Sequence, residues 1–400
     1  MARPNSGPRN RFATTFSAGL RVPLPANYVL GIDRQKFDFE AGFDSYLRGE
    51  WRHGGWWYYY LYGLAVKVPL GTWALLFMAM ALGWALPTKN RNRSSPGGAD
   101  KEPNKGSGGQ CPPYEENAGG QCASYDADLA GNWRDEFVLL LPAVTVLALV
   151  SSQTGFNHHL RYVLPIFPFV FIWIGRLGRL CAVADANARR RSGFAPAAGA
   201  RYSVLVAGAL AWSVGSSLWY YPHHLSYFNE LAGGPLGGRW HLLDSNLDWG
   251  QDVLYLKRWL DDHPEAKPLG FAYFGRFDPR AAGIAFSLPP LGPTDEEDAS
   301  ARTTADMGPK PGWYAVSVMM LHGYKYAIPD GAGETLYTDR PYFTYFQHFE
   351  PVAHAGYSIY IYHINRDEAN RVRRLLGLTP LSDRLDRGRA KATRHGEERS

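Results

Sequence analysis

At 400 residues the chain is long enough for two or three domains with a real core. Its formal charge of +5 is modest, and its arginines sit beside apolar runs rather than along one stripe, which argues against nucleic-acid binding. Cys111, Cys122 and Cys181 are too few for a disulfide scaffold, and their spacing fits no zinc pattern. The mildly negative mean hydropathy averages two unlike parts, an apolar one ending at Tyr221 and a more polar remainder.

The first 62 residues start basic, but Arg21 and two prolines interrupt the apolar stretch, so no signal peptide is predicted. This segment is expected outside the cytoplasm. It carries Asp38, Glu40, Asp44 and Glu50 in FDFEAGFDSYLRGEW. Paired carboxylates serve as acid, base or metal ligand, although acidic residues in an exposed loop usually only bind water. GWWYYYLYG then predicts an aromatic belt at headgroup level.

The first predicted span is 63–87, with about twenty uncharged residues from Val68 onward, enough for about 30 Å of hydrocarbon. Lys67, near its start, is expected to extend its amine toward water. Residues 88–135 are rich in Gly, Pro, Asn and charge and predict a disordered cytoplasmic loop. Two shorter apolar runs follow, 137–152 and 160–175, readable as two tilted spans or one re-entrant hairpin. Pro165 and Pro168 in the second are tolerated within membranes. A fourth run covers 202–221. KNRNR after the first span, and the arginines from Arg176 to Arg201, place both of those loops in the cytoplasm by the positive-inside rule. Everything after Tyr221 is then outside.

Residues 222–365 predict a small α/β or α+β domain. DVLYLKRWLDDH (252–263) has helical spacing, while PLGFAYFG (268–275), GWYAVSVMML (312–321) and YSIYIYHI (357–364) read as strands. Residues 287–311 predict a mobile insertion, and 366–400 a basic, disordered tail.

Three stretches carry candidate chemistry. FNHHLRYVLP sets His158, His159, Arg161 and Tyr162 at the outer mouth of a span, where a guanidinium with imidazoles suits a lipid-linked phosphate. The same residues also suit a basic interfacial anchor. DSNLDWGQD alternates Asp244, Asn246, Asp248, Gly250 and Asp252 with Trp249 and Gln251. It resembles the opening of a calcium loop, but the glycine is one place late and position 12 is Tyr255. It also suits sugar contact, with Trp249 stacking and Asp244, Asn246, Asp248 and Gln251 taking hydroxyls, or plain helix capping before DVLYLKRWL. YYPHHLSYFNELAGGPLGG (220–238) has the aromatics and histidines of an interface or binding segment. There is no Gly-rich phosphate loop, HExxH, or Ser-His-Asp order.

SYLRGEWRHGGWWYYYLYGLAVKVPL, HHLRYVLPIFPF and YYPHHLSYFNELAGGPLGGRWHLLDSNLDWGQDVLYLKRWL together resemble the bacterial GT-C superfamily of membrane glycosyltransferases, of the protein O-mannosyltransferase and aminoarabinose transferase kind. The similarity covers roughly 25–275 and 350–364. It implies a multi-pass protein of the bacterial inner membrane that transfers a hexose or pentose from a polyprenyl-phosphate donor to a glycan or protein acceptor on the outer face. It further implies that this chain matches only the C-terminal part of such an enzyme, with a separate N-terminal half as partner. His159, Arg161 and Tyr162 then become donor-side contacts. Asp38, Glu40 and Asp44 do not fall in the family's catalytic position, so the catalytic residues stay unassigned. The alternative is a non-catalytic membrane protein or subunit whose outer domain binds glycan or a partner protein.

Overall fold

The computed structural model describes residues 23–85, 133–192, 197–293 and 306–382. It divides the chain into two units: Met1–Leu70, Ala148–Leu164 and Ser213–Ser400 form the first, and Gly71–Leu147 with Pro165–Trp212 form the second. The predicted cytoplasmic loop lies outside the described residues up to residue 132, and its last three residues already begin a helix.

In the first unit, α1 (Ala26–Ala41) precedes a hairpin of β1 (Asp44–Leu47) and β2 (Glu50–His53). Its two-residue turn, Arg48 and Gly49, has positive φ at both positions (53° and 88°), the twist that suits a tight antiparallel hairpin. Next comes α2 (Tyr59–Lys67). The helix stops at Val68, because Pro69 disfavours helical backbone in the residue before it, and α3 (Leu70–Ala85) starts anew. The expected single span from residue 63 is therefore broken.

Two expectations for this segment change with it. Tyr59 and Tyr60, predicted for a headgroup belt, are each 1% exposed and pack inside the protein, while Trp57 remains exposed. Lys67 does not reach toward water. Its Nζ donates to the carbonyls of Leu225 (2.8 Å) and Asn246 and lies 4.5 Å from the Phe228 ring centroid.

The mixed sheet expected after residue 222 is present. β3 (Leu269–Ala272), β4 (Gly312–Ser317), β7 (Ala353–Ala355) and β8 (Ile359–Ile364) assemble in the order β3-β4-β8-β7, with only β3 and β4 parallel. A separate hairpin joins β5 (Ala327–Pro329) and β6 (Thr335–Tyr337). Val253, Leu256 and Leu260 recur along α8 (Val253–Asp262) and pack on Leu269, Phe271, Ala315, Ile359 and Ile361 of the sheet. A four-residue turn, α7 (Gly234–Gly237), lies ahead of α8 in the chain.

The run 312–321 is a strand only as far as Ser317. There the side chain accepts from Met319 N and caps a buried helical turn, α9 (Val318–Leu321). The flanks of the predicted insertion are ordered too: Ser287 exchanges backbone hydrogen bonds with Leu269 and Phe271, and Gly308 N donates to Leu291 O. Its centre, 294–305, is outside the described residues. The predicted disordered tail opens instead with a helix, α10 (Arg366–Leu375). Asn365 and Glu368 form a reciprocal capping box, which satisfies free amide donors at the helix start. Arg373 is fully buried and donates to the carbonyls of Thr379 and Met307, so it behaves as a clamp rather than a solvated charge.

The second unit gathers α3 with α4 (Trp133–Ser152), α5 (Phe167–Ser192) and α6 (Ala197–Trp219). Leu75, Ala79, Trp173, Ile174, Leu177 and Ala209 form its core. Arg176 of α5 pairs with Glu136 at the start of α4, donates to Ala79 O near the end of α3 (2.8 Å), and lies 4.2 Å over the Trp173 ring. Arg176 thereby ties α3, α4 and α5 together. Among the described residues, three helical stretches are long and apolar enough to cross a membrane, Arg134–Ser152, Leu160–Gly178 and Arg201–Trp219, or four if the broken α2–α3 pair counts. The run from Leu160 is longer than its sequence suggested. A 3-10 stretch carries Pro165, and Pro168 sits in the first turn of α5, where a missing amide donor costs nothing.

Replacement of Leu256 by Ala is expected to cost the first unit about 2–5 kcal/mol, measured as a lowered unfolding midpoint of the full chain.

Candidate functional site

Leu242, Leu243 and Leu247 are at most 1% exposed and anchor the DSNLDWGQD segment in the first unit. The polar residues among them are thereby drawn out of water, and each needs partners. Asp244 takes a left-handed backbone (φ 60°), tolerable for Asp because its own Oδ1 accepts from Ser245 N (2.6 Å) and Ser245 Oγ (2.8 Å). Its Oδ2 accepts from Tyr324 OH (3.0 Å) and lies 2.6 Å from His158 Nδ1.

Burial alone would raise the Asp244 carboxyl. The His158 hydrogen bond and charge, with the Ser245 hydroxyl, outweigh it and hold the group at about 2. Next to it, His159 shares a hydrogen bond through Nδ1 with Ser245 Oγ and sits 4.0 Å from Asp244 Oδ1. Burial pushes its imidazole down to about 4, against the pull of Asp244 and with the help of Arg161 and His158. It is thus an uncharged ring at neutral pH, able to donate or accept.

Around His159 stand two more rings. Tyr162 is 5.4 Å away, and Trp249 is stacked at 6.4 Å with 26° between planes. Trp249 is 48% exposed and so presents a free face. Arg161 is exposed, its guanidinium 5.5 Å from the Tyr162 ring centroid. All four donor-side candidates, His158, His159, Arg161 and Tyr162, therefore lie together with Asp244 and Trp249.

The remaining sugar-contact candidates do not join them. Asn246 is 3% exposed and fully engaged: its Nδ2 donates to His158 O, Leu243 O and Tyr59 OH, and its Oδ1 accepts from Leu160 N. Gln251 closes its own loop, accepting from Trp249 N and donating to Leu247 O. Asp248, 1% exposed, accepts from Ser317 Oγ (2.5 Å) and Gly250 N (2.7 Å). Burial drives its carboxyl up to about 7 despite those bonds, with Asp252 adding repulsion.

Asp252 is the residue before α8, yet its side chain makes no helix cap. Oδ2 instead accepts from Tyr357 N, Ser358 N and Ser358 Oγ at 2.9–3.0 Å. The carboxylates of this segment are thus each engaged by protein donors. Gly250 is required where it stands: φ is +77°, and a Cβ would sit 2.3 Å from Tyr273 OH.

The acidic candidates of the N-terminal segment are elsewhere. Asp44 pairs with Lys325 (3.1 Å) and His53 (3.4 Å), which outweigh burial and lower its carboxyl. Glu50 is an exposed strand residue, and the side chains of Asp38 and Glu40 lie outside the described residues. Sequence reasoning missed Ser245, Ser317 and Tyr324. Ser245 adjoins a singled-out carboxylate and was findable. Tyr324 is 80 residues from its partner and had no local signal.

Against this geometry, no protein-family model, curated protein or solved structure matches the chain.

The raised carboxyl of Asp248 gives a pH test. Below about pH 4 the folded and unfolded groups are both protonated. As pH rises toward 7 only the unfolded chain releases its proton, so stability falls across that window and levels off above it. In Asp248→Asn that fall is expected to flatten, seen in unfolding midpoints recorded from pH 4.5 to 8. An unchanged slope would remove Asp248 from the argument.

Proposed function

We propose that the chain is a multi-pass membrane protein, with its sheet-containing domain on the outer face, that holds a polyprenyl-phosphate-linked sugar as part of a GT-C-like glycosyltransferase. The membrane reading is supported by the exposed sides of α4, α5 and α6. Val138, Val144, Ile172, Val204 and Leu205 are each more than half exposed there, apolar side chains that a hydrocarbon surrounding would cover. The loop charges give the orientation, with KNRNR and the arginines after Arg176 inside. The location that follows is the inner membrane of a bacterial cell.

The observation that carries the donor reading is the grouping of Arg161, Tyr162, His159 and the exposed Trp249 on the Asp244–His158 pair. An exposed guanidinium offers two parallel N–H bonds to a phosphate. An uncharged imidazole can bond a neighbouring oxygen, and a half-exposed indole offers a flat apolar face to a sugar ring. Asp244 acts one layer back by fixing His158 and, through Ser245, His159. The reaction class is transfer of a hexosyl or pentosyl group, with the lipid phosphate as leaving group. A glycan or protein takes the sugar.

A second reading has its own support. Asn246, Asp248 and Gln251 are consumed by internal hydrogen bonds, which fits a non-catalytic subunit whose outer domain binds glycan or a partner protein. Binding separates the two. The detergent-solubilised chain is expected to bind polyprenyl-phosphate hexose or pentose saturably. Arg161→Ala should weaken it by roughly 10- to 100-fold, the loss of one charge-assisted contact. Equal affinity in the variant, or no saturable binding by the parent chain, would leave the subunit reading in its place.

A further inference from the structure

The nine-residue segment that holds Asp244 at one end holds Asp252 at the other, and Asp252 faces a second imidazole. Asp252 is 0% exposed. Three donors saturate its Oδ2, whereas its buried Oδ1 has no hydrogen bond and lies 3.3 Å from His223 Nδ1. A buried carboxylate oxygen short of a donor costs free energy, and the N–H of His223 is the group within reach to supply one. The backbone is shaped around that oxygen pair. Gly356 has φ +59°, and a Cβ there would fall 2.1 Å from the Asp252 carboxyl carbon.

The imidazole is fixed on its faces as well. Tyr255 lies 4.7 Å from it, and Tyr357 meets it edge-on at 5.1 Å. Its side chain keeps 16% exposure, so part of the ring reaches solvent. The turn that carries it is tied to the same strap: Ser226 Oγ donates to Leu247 O and accepts from Gln251 Nε2. Trp249 is three residues from Asp252, at most about 11 Å of chain.

We infer that His223, oriented by Asp252, is the proton acceptor for the hydroxyl that receives the sugar. When Nδ1–H is given to the carboxylate, Nε2 keeps its lone pair for the substrate, the tautomer a general base needs. The acceptor O–H gives its proton to Nε2 as its oxygen forms a bond to the anomeric carbon. The bond from that carbon to the phosphate oxygen breaks, and its electron pair leaves with the lipid phosphate. This rests on the donor reading above. His223 is the catalytic residue and Asp252 a positioning residue.

The test uses the full chain, polyprenyl-phosphate hexoses and pentoses labelled in the sugar, and water or glycerol as acceptor. Donor affinity and sugar release are measured side by side. His223→Gln leaves the three donors to Asp252 Oδ2 in place, and is expected to lower turnover by about 10²-fold or more with donor affinity unchanged. Asp252→Asn can still accept from Tyr357 and Ser358, but its amide would donate to Nδ1 and so invert the tautomer. It should lose turnover comparably without losing donor affinity. His223→Gly should regain activity with added imidazole. Donor bound but never turned over by the parent chain, or turned over equally by His223→Gln, would overturn this assignment and leave donor binding intact. Absence of donor binding in the parent chain would instead sink the donor reading, and this one with it.

Discussion

The burial of three carboxylates within one short segment is the constraint on which the first unit is organised. Asp244, Asp248 and Asp252 are between 0% and 9% exposed, and a carboxylate taken from water without partners would cost several kcal/mol. Each has therefore drawn a different part of the chain to itself. Asp244 brings in the loop before α5 and the turn after α9. Asp248 brings in the end of β4, and Asp252 the turn before β8 together with the exit of α6. Polar satisfaction specifies how these distant segments meet, while the α8-on-sheet core supplies apolar burial.

The same accounting explains the tone of the individual groups. Asp244 has an imidazole and hydroxyls as partners, and its carboxyl falls; Asp248 has hydroxyl and amide donors, and burial wins. At either end of one strap an imidazole then lies against a buried carboxylate, and the exposed Trp249 sits between those carboxylates in sequence.

Periodicity was the legible part of the fold. The 3.6-residue spacing in DVLYLKRWL gives α8, alternation gives β8, and apolar length gives the three membrane-competent helices. The failures share a cause. Pro69 acts through the backbone of its neighbour and splits a run whose hydropathy is unbroken. Asn365 and Glu368 start α10 inside a stretch whose arginines mimic a solvated tail. Tyr59 and Tyr60 have the composition of interfacial anchors, but packing within the first unit hides them. In the site, the HHLRY and DSNLDW stretches were visible because unusual polar residues cluster in them. Their division into binding side chains and internal clamps was not visible.

The sequence by itself determined which segments are apolar enough to leave water, where α8 and three of the four strands of the sheet lie, and which two short stretches concentrate imidazole, guanidinium and carboxylate. Local composition and spacing suffice for those properties, because they depend on neighbours a few residues apart. Only the tertiary structure decided that His158 faces Asp244, that Asn246 and Asp248 turn inward, and that His223 meets Asp252. Those pairings join residues from about 30 to 90 positions apart. They are fixed by the cost of leaving a buried polar atom without a partner, a quantity that exists only once the chain has closed around it.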